Sequence, residues 1–173
     1  MAKKYFRLMI LHFSLILVVL LPDSISLNND SSLKLYLAFD EENGKIAKDH
    51  SKSGLRGKLS GNAKFVKNGK FGGALSLEDS NSLVQLPATD ELNITKSITI
   101  AAWIFPLVNQ KDSNVIGRRT AANVGGYCIQ WSGLGAVAKV ETWIGLPVWQ
   151  GTRNLQKTEP KLEKWHHVVA IYD

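Results

Sequence analysis

Cysteine is nearly absent from this chain of 173 residues, and its single representative, Cys128, has no partner within the chain for a disulfide. The stability of a folded domain must therefore come from an apolar core. Sustained helical periodicity is also missing beyond residue 26, so nothing could serve as the crossover helix that a parallel α/β sheet needs. A hydrophobic fraction of 45% and an aromatic fraction of 9% are typical of a globular protein and exclude a disordered one.

The N-terminus has the layout of a signal peptide. Three basic residues within the first seven positions precede an almost unbroken apolar run, Leu8 to Leu21. Pro22 ends the run, and Ser24 and Ser26 provide the small side chains that signal peptidase requires before its cleavage site. The alternative is an uncleaved membrane anchor, but a span needs about 20 consecutive apolar residues and this run is shorter. We expect a hydrophobic signal helix over residues 1–26, and export of the rest of the chain.

Beyond a short linker over residues 27–32, short apolar segments alternate with turn-forming residues through 33–173. β-Branched and aromatic side chains dominate several of these segments, as expected for strands. The predicted strands are Leu33–Phe39, Ala74–Leu77, Ser82–Leu86, Ile98–Phe105, Ser113–Gly117, Tyr127–Trp131, Ala136–Ile144 and Trp165–Tyr172. The region between Phe39 and Ala74 is expected to be mainly a polar loop, and Thr89–Leu92 a helical turn. The pattern predicts one all-β domain, a sandwich or barrel of short antiparallel strands.

Several motifs, in this order and spacing, resemble one family. Asp49–Gly57 is similar to a D-x-S-G-x-x-G stretch but departs slightly from it, and Phe71–Leu77 has the glycine pair that leads into a strand. Ser97–Pro106 is similar to a T-I-x-A-W-I-x-P strand, and Trp165–Ala170 to a W-H-H-V-A strand. From Leu33 to Asp173 the chain therefore resembles the laminin-G-like jelly roll of the concanavalin A-like lectin and glucanase superfold. The resemblance implies an antiparallel two-sheet jelly-roll sandwich.

In that family several more strands follow the W-H-H-V-A strand, and the last of them closes the sandwich beside the first. The sequence stops at Asp173, before any such strands. The resemblance therefore implies a jelly roll that is incomplete at its C-terminus, as in a fragment of a longer product. Strand edges left unpaired in this way would invite aggregation or pairing with another chain.

The acidic residues do not predict a catalytic site. Related glucanases place three carboxylates on one face of a strand, so that an acid and a nucleophile flank the sugar bond. The acidic clusters Asp40–Glu42, Glu78–Asp79 and Asp90–Glu91 lack that alternation. His166 and His167 have no serine or cysteine nucleophile near them in sequence. We expect a protein that is not an enzyme.

Calcium is the cofactor that the resemblance implies, because the family often binds Ca²⁺ through loop oxygens at the rim of the sandwich. Hard cations take carboxylate, carbonyl and amide oxygens. Asp79 and Asn81 in the acidic tip, with Asp40 from the end of the first predicted strand, are the expected metal ligands. The alternative is a solvated hairpin tip rich in turn-forming residues.

Tryptophan side chains in the weaker strands and loops are candidates for a carbohydrate site, since an indole ring stacks on the C–H faces of sugars. Trp131, Trp143 and Trp149 are the candidates, and Arg153 is the polar group expected to bind hydroxyls. Structural packing is the alternative for each. Trp103 and Trp165 lie in the strongest predicted strands and are expected to be core residues.

A basic stretch between residues 45 and 70 gives a second candidate surface. It contains eight cations and only one carboxylate, and they contribute to a formal net charge of +6 for the chain. The cations are Lys45, Lys48, Lys52, Arg56, Lys58, Lys64, Lys67 and Lys70. A solvated loop is the default for such a run, and a binding site for a polyanionic glycan or a lipid surface is the functional alternative.

The sequence thus favours a secreted or cell-surface recognition module that binds carbohydrate or a surface glycoprotein. No nucleic-acid recognition motif is present, so nucleic acid is not an expected partner. A membrane is expected to be a partner only through the N-terminal segment, if that segment is uncleaved. The alternatives are a structural accessory domain of a larger secreted protein without its own ligand, and a glycoside hydrolase.

Overall fold

The computed structural model describes residues 6–8, 13–14, 30–108, 113–119, 126–134, 137–145, 152–155 and 160–173. Across these residues the protein is all-β, with thirteen strands and one short 3-10 turn at Asp90–Leu92. No helix within them is long and apolar enough to cross a lipid bilayer. The all-β prediction is confirmed, and so is the helical turn before Asn93.

Two sheets contain all the strands. The larger sheet has eight strands in the order β12-β11-β10-β9-β1-β7-β4-β3. These strands are β12 Thr152–Leu155, β11 Val137–Gly145, β10 Gly126–Leu134, β9 Ser113–Arg119, β1 Phe6–Leu8, β7 Leu83–Leu86, β4 Arg56–Ser60 and β3 Ile46–Lys48. The smaller sheet has five strands in the order β13-β8-β2-β6-β5. They are β13 His166–Tyr172, β8 Ile98–Ile104, β2 Phe13–Ser14, β6 Ala74–Ser76 and β5 Lys64–Val66. Every pairing between them is antiparallel, as expected of a jelly-roll sandwich.

Alternation along the strands builds the core. In β8 the buried residues Ile100, Ala102 and Ile104 alternate with partly exposed ones. The neighbouring strand β13 sets Val168 opposite Ala102, and both are buried in the same cluster as Ile129 of the larger sheet. Burying each large aliphatic side chain stabilises the fold by roughly 1.5–3 kcal/mol. Without a disulfide, these contacts hold the two sheets together.

The segment at residues 33–39 only partly matches the strand predicted there. Leu37 and Phe39 are fully buried as expected, but Ala38 between them is buried as well. Leu37, however, forms only an isolated bridge with Asp49, and Phe39 has a positive φ of 59° that breaks an extended run. The side chain of Asp49 replaces part of the missing ladder by accepting a hydrogen bond from the backbone N–H of Tyr36 at 2.9 Å.

Asp49 organises the loop that follows it. Its carboxylate is 8% exposed and accepts four hydrogen bonds. The donors are the backbone N–H groups of Tyr36, Ser51 and Leu55 and the hydroxyl of Ser51, at 2.8–3.1 Å. Bonds to an ionised carboxylate are stronger than neutral ones, so this buried group fixes the turn against the first core segment. This is the structural role of the D-x-S-G motif.

The prediction of a polar loop between Phe39 and Ala74 was wrong. Three strands, β3, β4 and β5, lie in that region. In β3 and β4 the buried residues Ala47 and Leu59 alternate with exposed lysines, a half-buried pattern in strands of only three and five residues. Turns separate these strands at close intervals, and the turn signals obscured the alternation between them.

The predicted signal helix falls largely outside the described residues. Those of its residues that the structure describes are strands. β1 lies between β7 and β9 in the larger sheet, and β2 lies between β6 and β8 in the smaller one. Export and cleavage after Ser26 stay predictions. At the other end of the chain, β13 lies at the edge of its sheet and pairs with β8 among the described strands.

A hydrogen bond from Tyr127 connects the 3-10 turn to the larger sheet. Its ring is buried and its hydroxyl donates to the carbonyl oxygen of Leu92 at 3.1 Å. Beside it, Arg118 donates to the side-chain oxygen of Asn93 at 2.5 Å. Desolvation raises the pKa of Tyr127 from 10.0 to about 12, although the positive charge of Arg118 acts in the opposite direction.

This raised pKa predicts a loss of stability in alkali. The folded state holds the Tyr127 proton more tightly than the unfolded state does, so its contribution is complete below about pH 10 and is lost as the pH rises towards 12. Between these limits we expect the free energy of unfolding to fall by roughly 2 kcal/mol more in the native protein than in Tyr127→Phe. Urea denaturation at a series of alkaline pH values measures the difference. Parallel pH profiles for the two proteins would contradict the prediction.

Candidate functional site

One continuous row of residues crosses the larger sheet from edge to edge. In an antiparallel sheet, residues directly opposite each other lie on the same face, so the register of successive pairs defines the row. From β3 to β12 its members, here called the outer row, are Ile46, Lys58, Gln85, Arg7, Gly117, Cys128, Trp143 and Arg153. Seven spacings of about 4.8 Å make the row roughly 34 Å long.

The outer row lies on the face of the sheet that turns away from the core. Lys58 is exposed and Gln85 is partly exposed, whereas the next residues along those strands, Leu59 and Val84, are buried in the core. Leu59 and Val84 are directly opposite each other, so they belong to a second row, which lies on the inner face of the sheet. Ile46, Lys58 and Gln85 therefore form the exposed part of the outer row, whereas Gly117 and Cys128 farther along it are buried.

Two of the four predicted carbohydrate-binding residues come together on this face. Trp143 in β11 is directly opposite Arg153 in β12, and on its other side it is opposite Cys128 in β10. Sequence analysis selected both residues, assigned Lys58 to the separate basic stretch and missed Gln85. No signal in the sequence could have placed Lys58 and Gln85 in the same row as Trp143, because the pairing of distant strands fixes the row.

Trp131 was wrongly predicted to be a ligand-binding residue. It is 3% exposed and packs in the core with Tyr127 and Ile129, so no sugar can stack on it. Its indole nitrogen is buried and makes no hydrogen bond. The physical reason is strand alternation, since Trp131 lies on the inner face of β10 while Cys128 lies on the outer face. Trp149 lies outside the described residues and stays a prediction.

The family profile of laminin G-like domains in the concanavalin A-like lectin/glucanases superfamily matches residues 78–173, more than half of the chain. The chain belongs to this superfamily. No curated protein and no solved structure matched the chain. The matched region contains Gln85, Gly117, Cys128, Trp143 and Arg153 of the outer row. The Asp49 loop precedes the matched region. The superfamily includes lectins, which fits a carbohydrate-binding module.

Ahead of the region that matches the laminin G-like profile, the chain carries a group of cations at one end of the outer row. Lys48 and Arg56 lie directly opposite each other, and Lys58 is the next outward residue of β4. All three are exposed, and we call them the basic end. Opposed residues of this kind have Cβ atoms about 5 Å apart, so two like charges are held close together. Glu41 lies nearby, where its carboxylate accepts a hydrogen bond from the backbone N–H of Lys48 at 2.6 Å and partly offsets the positive charge.

Other cations of the predicted basic stretch are engaged elsewhere. Lys45 donates to the carbonyl oxygen of Ala63 at 2.8 Å, and Lys64 forms an ion pair with Glu78 at 2.5 Å. Lys70 lies over the ring of Trp103 at 5.1 Å from its centroid. The cations of the basic stretch therefore lie on several strands and loops with different surroundings. Lys48, Arg56 and Lys58 of the basic end share the face of the outer row.

The three predicted calcium ligands are not all brought together. Asp79 and Asn81 are neighbours, because the backbone N–H of Asn81 donates to Asp79 Oδ1 at 2.8 Å. Asp40 lies at the opposite end of β6, where Oδ1 accepts a hydrogen bond from the backbone N–H of Gly73 at 2.6 Å. Within the described part of the chain, no three His, Cys, Asp or Glu residues are grouped to hold a metal ion.

The oxygens of Asp79 already have partners. Oδ1 also accepts from the hydroxyl of Ser82 at 2.9 Å, and Oδ2 accepts from the amide of Asn62 at 2.6 Å. The hydrogen bond from Ser82, and then those from neighbouring backbone groups, lower the pKa of Asp79. The tip has the solvated, self-bonded form expected of a hairpin turn. Calcium binding stays a prediction.

Trp103 and Trp165 are not the core residues that the sequence predicted. Trp103 lies on the outward face of β8 and is partly exposed, stacked on His167 with ring centroids 4.9 Å apart. Phe71 meets the other side of Trp103 edge-on at 5.9 Å. Trp165 is also partly exposed and packs against Phe105 at 5.3 Å. The stack therefore holds the glycine-rich loop before β6 against the outside of the smaller sheet.

Proposed function

We propose that this chain is an extracytoplasmic, non-catalytic recognition module that binds carbohydrate across the outer face of its larger sheet. The observation that supports this proposal is the register that sets Trp143 opposite Arg153 in the outer row. An indole ring offers a flat apolar surface to sugar C–H groups, and a guanidinium group offers several hydrogen-bond donors to hydroxyl or carboxylate oxygens. Membership of the lectin/glucanases superfamily adds independent support.

The basic end indicates which carbohydrates are favoured. Lys48, Arg56 and Lys58 provide a positive field at one end of a face roughly 34 Å long. An extended glycan that carries sulfate or carboxylate groups would meet aromatic and guanidinium groups at one end and this field at the other. The repulsion between Lys48 and Arg56 would be relieved by a bound anion. We therefore propose acidic polysaccharide as the ligand class.

A hydrolase is less well supported than a binding module. Glycoside hydrolysis needs two carboxyl groups about 5–10 Å apart across a cleft. The carboxylates of Asp49 and Asp79 instead accept hydrogen bonds from backbone N–H groups two positions away, and that of Asp40 accepts one from the backbone N–H of Gly73. A structural accessory domain without a ligand remains the principal rival, and it makes the opposite prediction in a binding experiment.

Glycan-array binding of the full chain tests the proposal. We expect signals for acidic glycans, and at least a tenfold loss of affinity when Trp143 and Arg153 are both replaced by alanine, since stacking and one charged hydrogen bond together contribute on the order of 2 kcal/mol. Thr99→Ala, an exposed change on the smaller sheet, is the control and should bind normally. The absence of binding above background would favour the accessory domain.

The charge preference is tested in the same experiment. Replacing Lys48, Arg56 and Lys58 by glutamine should weaken binding of a sulfated glycan at least tenfold, and the remaining affinity should depend less steeply on salt. The matched control replaces Lys67, Lys96 and Lys161, three exposed lysines elsewhere, and changes the net charge by the same amount. Equal losses in the two triple variants would mean that overall charge, and not the basic end, attracts the glycan.

A further inference from the structure

The N-terminal strands occupy interior positions in both sheets. β1 pairs on one side with β7, where Arg7 is opposite Gln85, and on the other side with β9, where Arg7 is opposite Gly117. β2 pairs on one side with β6, where Phe13 is opposite Leu75, and on the other with β8. Each N-terminal strand is therefore hydrogen-bonded along both of its edges.

Without these strands each sheet would contain a gap one strand wide. The strands that border the gaps carry some of the most deeply buried side chains in the molecule, including Val84, Leu86, Leu75 and Ile104 at 0–1% exposure. β7 and β9 would face each other across about 10 Å, which is two interstrand spacings. Their backbone N–H and C=O groups would lose partners, and water would reach the core.

The two positions are close together in the sequence. From Leu8 at the end of β1 to Phe13 at the start of β2 there are five residue steps. Five extended steps reach about 17 Å, and stacked sheets lie about 10 Å apart, so one short connection is long enough to pass from one sheet to the other. One continuous apolar segment can thus close both gaps.

We propose that the part of the chain from residue 30 onward accepts one N-terminal strand into the gap in each of its two sheets. Each such gap is here called a slot, and residues 6–14, which supply β1 and β2, are called the donor. The donor adds backbone hydrogen bonds on both edges, and its apolar composition suits slots bordered by core residues. The donor lies within the predicted signal peptide, so cleavage after Ser26 would open both slots. The tests of this proposal do not measure carbohydrate binding, although β1 also contributes Arg7 to the outer row.

Hydrogen exchange of the full chain tests the two slots separately. Proline cannot donate to a ladder and is excluded from central strands. In Arg7→Pro we expect at least tenfold faster exchange of amides in β7 and β9, and in Phe13→Pro the same acceleration in β6 and β8. Lys3→Pro, which precedes β1, is the control and should leave all four strands protected. Unchanged protection in both Arg7→Pro and Phe13→Pro would overturn the proposal.

A second experiment uses a full chain that can be cleaved after it has folded. It tests the proposal even if a proline variant fails to fold. A protease site is inserted between Pro22 and Asn29, and the protein is folded before it is cut. We expect the N-terminal fragment to co-elute with the monomeric remainder, and an excess of isotopically labelled peptide of residues 4–16 to exchange into it. The same peptide with proline at positions 7 and 13 should not exchange. Release of the fragment with the slots still protected, or exchange of donors within a dimer, would overturn the assignment of residues 6–14 as the donor of their own chain.

Discussion

Replacing Asp49 with alanine is expected to lower the free energy of unfolding by about 4 kcal/mol. The change leaves the backbone N–H groups of Tyr36, Ser51 and Leu55 without their acceptor. It also removes the acceptor of the Ser51 hydroxyl. These groups lie in a part-buried loop where water replaces the carboxylate poorly, so most of the lost hydrogen-bond energy is not recovered. Chemical denaturation of the native and variant proteins measures the effect.

The control for Asp49→Ala is Asp30→Ala. Asp30 makes the same local pair of bonds, to the backbone N–H and the hydroxyl of Ser32 at 2.8 and 2.7 Å, but it is exposed. Water can take over these contacts, so we expect a much smaller loss of stability than for Asp49→Ala. Asp49→Asn keeps the shape and removes the charge, and it should fall between the two. Equal losses for Asp30→Ala and Asp49→Ala would contradict a special role for the buried carboxylate.

Gly73→Ala is expected to cost about 3 kcal/mol of stability, because a Cβ atom has no room at this position. The added carbon would overlap the backbone oxygen of Phe39 and lie 3.0 Å from Asp40 Cα. Both obstacles are backbone atoms next to a residue with positive φ, so neither can move aside easily. The hydrogen bond from the Gly73 N–H to Asp40 would be strained as well. Thermal or chemical denaturation measures the loss.

Gly54→Ala separates this steric effect from backbone strain. Gly54 has a positive φ of 58°, and a Cβ there would meet nothing within 4 Å. Only the cost of a left-handed conformation applies, about 1 kcal/mol. If Gly73→Ala proved no worse than Gly54→Ala, the packing of the Phe71–Gly73 loop against Phe39 would contribute little.

The strands that the sequence predicted well are those with dense β-branched and aromatic runs. β8 and β13 lie where such runs indicated them, and they pair along their whole lengths. β3 to β5 were missed because lysines on the exposed face and turns at short intervals left only single buried residues, such as Ala47, to mark a strand. The positions of β1 and β2 were also missed, because an apolar run gives the same signal for a leader helix and for a buried strand.

The candidate site could be predicted only in part. Trp143 and Arg153 are ten positions apart in a region with hairpin signals, and their pairing is local. Lys58 and Gln85 joined them only through the long-range order of the sheet. Trp131 was misplaced because periodicity shows that alternate residues share a face but not which face meets the core. The remaining members of the row and the face on which they lie are fixed by strand register and sheet order. Both depend on contacts between segments that are distant in sequence.

The Asp49 loop has a further consequence for the order in which the chain folds. The residues that donate to its carboxylate are at most 13 positions away, whereas Tyr127 reaches 35 positions back to Leu92. Short loops close faster and at lower entropic cost than long ones. During synthesis this loop can therefore close before β8 has left the ribosome, and so before the region shared with the superfamily is complete.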